Sequence, residues 1–175
     1  LTLPNGDNYQ GEFKYGKIEG KGDYIWSNGD TYSGKWFQEK KHGFGTYRWV
    51  NGDTYVGMYR DGFQNGIGVF TFLNGDSYVG EFESGNRSGK GKYTWANGTY
   101  YNGMHWLGKE EGVGTRVYIN GDMYTGDWKA GKYHGNGVLT QAGEKISGRW
   151  EANKFIKESK DLKRQPLFYI YDDGT

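Results

Sequence analysis

Apolar and polar positions alternate along this chain with a step of two, and the alternation restarts at a fixed interval. Tyr9, Gly11 and Phe13 are separated by polar Gln10 and Glu12, and the same figure returns at Tyr32, Gly34 and Trp36. Tyr9, Tyr32, Tyr55, Tyr78, Tyr101 and Tyr124 stand 23 residues apart without a slip. With each tyrosine as position 0, position 2 is always glycine, from Gly11 to Gly126. Position 4 holds Phe13, Trp36, Tyr59, Phe82, His105 and Trp128. A second alternating run covers positions 13, 15 and 17. Its position 15 carries Tyr24, Tyr47, Phe70, Tyr93, Arg116 and Leu139, and its position 17 carries Trp26, Trp49, Phe72, Trp95, Tyr118 and Gln141. Short period-two runs rich in Tyr, Phe and Trp predict strands.

Turn chemistry separates the runs. Asn-Gly-Asp closes most units, and Asn and Gly tolerate the positive φ of a tight turn. The Gly-rich stretch over positions 7 to 11 (GKIEG, GFQNG, GKYHG) supplies the other turn. Each unit is expected to be a β-hairpin, with two strands advancing the sheet by about 10 Å. Parity places positions 0, 2 and 4 on one face with 13, 15 and 17, in a register pairing 0 with 17, 2 with 15 and 4 with 13. That register makes one row wholly aromatic and lets ring alternate with glycine in the other two, each glycine a recess for a ring. The fold class expected is all-β: an elongated single-layer antiparallel β-meander of 23-residue hairpin repeats.

Composition narrows the function classes. Glycine takes 32 of 175 positions and aromatic residues 18%, with only 2 prolines. A disordered linker would lack the rings. The net charge of +1 is well mixed and predicts no polyanion-binding field. The absence of cysteine removes disulfides, thiol catalysis and thiolate metal sites, and is compatible with a reducing compartment. No apolar run is long enough to span a bilayer and no secretory signal is present. The start at Leu1 reads as a piece of something longer.

YxGxW followed by G(K)x(H)GxGxxxxxNGD at this step resembles the MORN repeat (membrane occupation and recognition nexus). The resemblance covers residues 1–153: a partial unit over 1–8, six units beginning at the tyrosines, and a partial unit from Ile146. Unit 6 is one residue short, with Ala142-Gly143-Glu144-Lys145 in place of Asn-Gly-Asp. Residues 154–175 are expected to form an insertion or cap, with a short helix stopped by Pro166 and a last strand over 167–171. The resemblance implies a curved aromatic face and non-catalytic scaffolding of protein partners in cytoskeletal, ciliary or membrane-associated assemblies of the cytoplasm. Self-association as a homodimer belongs to the same expectation. The rival is a peripheral membrane tether binding phosphoinositide or another anionic lipid headgroup.

Candidate chemistry is weighed against that frame. His42, His105 and His134 are scattered, and Asp30, Asp53, Asp76 and Asp122 come one per turn with no partner base, so no catalytic set, metal site or cofactor is expected. Nucleic acid is not expected, since the rings recur as core in every unit and the basic residues are offset by acidic ones. Lys154, Lys157, Lys160, Lys163 and Arg164 form the richest basic stretch and are the candidate lipid contacts.

Two protein-binding faces remain. On the aromatic face unit 5 departs from its neighbours at His105 and Arg116, and Tyr78, Trp95, Tyr101, Tyr118 and Tyr124 flank them as a partner groove. Arg116 either stacks on nearby rings such as Tyr93 or Tyr118, or is a positive station for a carboxylate in a mostly apolar ligand. The opposite face carries Val56, Met58, Ile67, Val69 and Leu73 in unit 3, and Met104, Trp106, Val113, Val117 and Ile119 in unit 5. A single layer cannot bury these, so they are either an interface or tolerated strand formers.

Overall fold

The computed structural model describes residues 1–158, and among them every regular element is a strand. They are β1 (Asn8–Lys14), β2 (Lys17–Ile25), β3 (Thr31–Phe37), β4 (Lys40–Arg48), β5 (Thr54–Arg60), β6 (Phe63–Thr71) and β7 (Ser77–Glu83). There follow β8 (Asn86–Thr94), β9 (Tyr100–Trp106), β10 (Lys109–Val117), β11 (Met123–Lys129), β12 (Lys132–Gln141), β13 (Glu144–Glu151) and β14 (Lys154–Glu158). Sheet order is chain order throughout, a single-layer antiparallel meander as the 23-residue step predicts. The chain divides into two compact units, Leu1–Asn86 and the part beginning at Arg87.

The hairpin turns are tighter than expected. Tyr15 and Gly16 have φ of 51° and 75°, Asp61 and Gly62 have 53° and 92°, and Ala130 and Gly131 have 50° and 80°. Positive φ at both residues of a two-residue loop is the type I′ turn, whose twist matches that of the strands. The stretch expected to make this turn instead opens the second strand, for β2 already begins at Lys17. The Asn-Gly-Asp turns form as expected. Trp26 N–H donates to the Asp30 carbonyl at 3.0 Å, Gly29 N–H donates back to the Trp26 carbonyl at 2.9 Å, and Asp30 N–H donates to Asn28 Oδ1 at 2.9 Å.

The register corrects the expectation by two residues. Tyr9 pairs with Tyr24 and Gly11 with Gly22, and on the other side Tyr24 pairs with Tyr32 and Gly22 with Gly34. Position 0 thus faces 15, and 2 faces 13. The two-residue turn moves the pairing by four positions and a bulge restores two of them: between the pairs Lys35↔His42 and Gly34↔Gly45, β4 carries two extra residues, Gly43 and Phe44. Gly43 takes φ 59°, and the glycines at that position supply the left-handed backbone throughout. Position 17 falls outside the strands in the first five repeats, and only Gln141 of the sixth lies at a strand end. A slip of two leaves every side chain on its original face, which is why parity gave the faces correctly.

The two rows nearest the centre are therefore one of rings and one of glycines. Tyr9, Tyr32, Tyr55, Tyr78, Tyr101 and Tyr124 lie across the glycines and are the most deeply buried side chains. Each hydroxyl donates to the backbone carbonyl three residues on, for example Tyr32 to Lys35 at 2.9 Å and Tyr55 to Met58 at 3.0 Å. A Cβ on Gly68 would stand 2.5 Å from Tyr55 Cε2. Position 4 rings meet the tyrosines edge-on from both sides, Tyr32 lying 5.1 Å from Trp36 and 5.3 Å from Tyr59. Such pairs add about 0.5–1.5 kcal/mol each beyond area burial.

Past the last tyrosine the pairing continues. β14 pairs with β13 through Trp150↔Phe155 and Arg149↔Lys157. Residues 154–158, expected to begin an insertion with a short helix, are strand. The rest of that expectation, including the strand over 167–171, lies outside the described residues.

Candidate interaction site on the aromatic face

The two-residue turn brings position 9 opposite position 4 on the ring-bearing face. In the first unit this pairs Phe13 with Ile18, Trp36 with Lys41 and Tyr59 with Gln64. In the second it pairs His105 with Glu110 and Trp128 with Tyr133. Position 2 is constant, whereas position 9 runs Ile, Lys, Gln, Arg, Glu, Tyr. Sequence reasoning missed this row by assigning it to a turn. Its parity, odd like 13 and 15, was the available signal.

Lys41 is the best-enclosed cation of the first unit. Its ammonium lies 4.3 Å from the Tyr47 ring centroid, 5.3 Å from that of Tyr59, 5.6 Å from Trp26 and 5.9 Å from Tyr32. Burial pushes its pKa below the ordinary lysine range, and the charge of Asp30 opposes that shift. Among the described residues no carboxylate reaches ion-pair distance of it. Lys41 lines a half-open cavity of about 460 Å³ together with Leu3, Phe13, Ile18, Trp26, Trp36 and Glu39 among others.

The turn aspartates tie successive turns together, which capping of their own turn does not require. Asp30 accepts from Val50 N–H and from the Tyr47 hydroxyl, both at 2.8 Å, and from Asn28 at 3.1 Å. Burial pushes its pKa up, but these hydrogen bonds outweigh burial and hold the carboxyl below its usual range. Asp7 does the same with the Tyr24 hydroxyl at 2.5 Å and Ser27 N–H at 2.8 Å, and its pKa is lowered by those bonds in that order.

In the second unit Arg116 lies between two indoles, 4.6 Å from the Trp95 ring centroid and 4.7 Å from that of Trp128. Arg116 therefore stacks on nearby rings, and the rings are these two indoles. Its guanidinium is ion-paired with Glu110, so the carboxylate it meets is one of its own chain. His105 is buried, and its Nδ1 lies 3.2 Å from the Gly103 carbonyl, which can only accept and so fixes the proton on Nδ1. Burial, then the charge of Arg87, lowers its pKa to about 4. Tyr78, Tyr101 and Tyr124, expected as groove walls, are at 0% exposure and belong to the core, roofed by the position 4 rings. Trp95 and Tyr118 keep partial exposure, with Tyr118 hydrogen-bonded to Tyr133.

On the opposite face Met58, Ile67, Val69, Met104, Trp106 and Val113 are exposed and Val56 and Val117 half-buried. Leu73 and Ile119 are exposed too, but in turns beyond the strand ends, because the strands stop short of position 17. Lys154 and Lys157 lie exposed on β14, while Lys160, Lys163 and Arg164 lie outside the described residues. Among the described residues no group of three or more His, Asp or Glu is placed to hold a metal ion.

The MORN repeat profile matches residues 9–31, 32–54, 55–77, 78–100, 106–123 and 124–143. No curated protein matches the chain. Among solved structures, the TCP10 domain of Danio rerio CPAP is similar at 18% identity and a TM-score of 0.51, over 85% of this chain and 72% of that one. The TCP domain of Drosophila melanogaster SAS-4, solved with a proline-rich motif of Ana2, is similar at 12% identity and a TM-score of 0.41, over 86% and 88%. At these identities the likeness is one of fold.

Proposed function

We propose, from the premise that this chain belongs to the MORN repeat family, that it is a scaffold whose aromatic face takes an extended segment of a protein partner. The occupant we infer is an apolar or aromatic peptide carrying one carboxylate, seated on the first unit. The observation that carries this is Lys41: an ammonium held among four rings in the wall of a mostly apolar cavity, with no carboxylate of the described residues, Glu39 of the same cavity included, at ion-pair distance. A mostly apolar groove with one placed charge fixes both affinity and orientation. Arg116, the cation singled out in the sequence, already faces Glu110, so the partner's carboxylate is assigned to Lys41 instead. The assembly served is, in this reading, cytoskeletal, ciliary or membrane-associated, as the family resemblance suggests.

The test is a peptide-display selection on the wild-type chain, repeated on Lys41→Met, which keeps the stem and removes the charge. Selected peptides should pair Asp or Glu with aromatic residues, and their binding should fall about tenfold on the variant at unchanged Tm. Peptides without acidic enrichment would refute the assignment. Co-sedimentation with phosphatidylinositol-phosphate liposomes, lost in the same variant, would favour the membrane tether instead.

A further inference from the structure

Three of the four rings around the Lys41 ammonium are tyrosines, and one of them carries a hydroxyl that the fold leaves unused. The Tyr32 hydroxyl donates to the Lys35 carbonyl at 2.9 Å, and that of Tyr47 donates to Asp30 at 2.8 Å. The Tyr59 hydroxyl has no acceptor among the described residues, although Tyr59 is only 3% exposed. Burial, then the neighbouring Tyr55, Tyr32 and Tyr47, push its pKa up, so it keeps its proton and remains a donor. A buried hydroxyl without an acceptor lowers stability, and each such group in a folded chain calls for a reason.

The repeat avoids such a group elsewhere. At the same position 4 the indoles of Trp36, Trp128 and Trp150 donate to the Gly22, Gly114 and Gly137 carbonyls at 3.1, 3.0 and 3.2 Å. Phe13 and Phe82 bring no donor there at all. A phenylalanine at position 59 would keep the edge-on contacts with Tyr32 and Tyr55, at 5.3 and 5.2 Å, without burying a hydroxyl. Packing therefore accounts for the ring of Tyr59 and not for its oxygen.

We propose, resting on the reading that an acidic peptide occupies this cage, that Tyr59 is the second donor to the peptide's carboxylate, one oxygen taking the Lys41 ammonium and the other the Tyr59 hydroxyl. An ammonium only donates, and this hydroxyl has a proton with nowhere to go, so the cage suits a group with two acceptor oxygens and no donor of its own. An ionised carboxylate is that group, and hydrogen bonds to it are the stronger kind. Lys41 is the one cage member on a flexible stem, and its ammonium lies 5.3 Å from the Tyr59 ring centroid. Drawn towards a carboxylate on the cavity side, it clears the way to the hydroxyl, whose burial keeps bulk water off it.

The test uses the 1–175 chain with two peptides: the tightest-binding acidic peptide from the display selection, and the same peptide with its acidic residue changed to Ala. Tyr59→Phe should weaken the acidic peptide about fivefold or more, at a Tm unchanged or higher. Against the Ala peptide, wild type and Y59F should bind alike. A selection that yields no acidic peptide, or an acidic peptide that binds K41M as well as wild type, would overturn the reading of the site and this inference with it. Affinity lost in K41M but kept in Y59F would overturn the role of the hydroxyl alone. So would a lower Tm in Y59F, the sign of a hydroxyl satisfied within the fold by an enclosed water, or an equal loss against the Ala peptide, the sign of an effect on packing.

Discussion

A buried imidazole has replaced an aromatic ring at position 4 of the fifth repeat, and this sets a pH dependence. His105 has a folded-state pKa near 4 against an ordinary 6.5. Between those values the unfolded chain binds a proton that the folded chain does not, so stability falls as pH drops from about 6.5 to 4 and levels below. The difference amounts to about 3 kcal/mol. His105→Phe, the ring that the repeat itself prefers, should remove that component. A wild-type minus variant stability difference that is flat across this range would contradict the assignment. The glycine row offers a second test at this scale. Gly68→Ala drives a methyl into the Tyr55 ring and should cost about 3 kcal/mol or more. Gly62→Ala meets nothing within 4 Å and bears only the strain of φ 92°, so it should cost about 1–2 kcal/mol. Urea denaturation of the two variants decides whether the row or the turn is the tighter constraint.

Among elements, the turns do more than reverse the chain. Asp30 reaches from its own turn to the Val50 amide of the next, 20 residues on, and to the Tyr47 hydroxyl. Each Asn-Gly-Asp turn therefore depends on the unit after it. Asp30→Ala leaves a buried hydroxyl and an amide without acceptors and should destabilise by about 1–3 kcal/mol. Hydrogen exchange should accelerate at Val50 in the variant; if it does not, the bridge has no energetic role. The sequence disclosed the turn but not the bridge, because Asn-Gly-Asp is sufficient for a turn on its own.

At the scale of the whole molecule, pairing among the described residues runs only between sequence neighbours, so stability is a sum over units and the junctions between them. Deleting residues 32–54 joins Thr31 to Tyr55 in phase and restores every row. The shortened chain should keep a strand-dominated circular dichroism spectrum and melt cooperatively at a lower temperature. Failure to fold would mean that some contact skips a repeat.

The fixed step, the tyrosine and glycine positions and the period-two alternation together determined the fold class, the hairpin repeat and the partition of side chains between faces. They could do so because face depends only on parity, and parity survives a slip of two residues. Register does not. The register, seen only in the folded backbone, is set by the tight turn, which brings position 9 in beside position 4, and by the bulge at the positive-φ glycines, which matches ring with ring and glycine with glycine. With it came the partners that decide the candidate site. Arg116 stands out in the sequence by breaking a pattern, yet Glu110, from a position taken for a turn, neutralises it. Lys41 breaks no visible pattern and ends up among four rings without a carboxylate, because its cage is assembled from three repeats that only the register brings together.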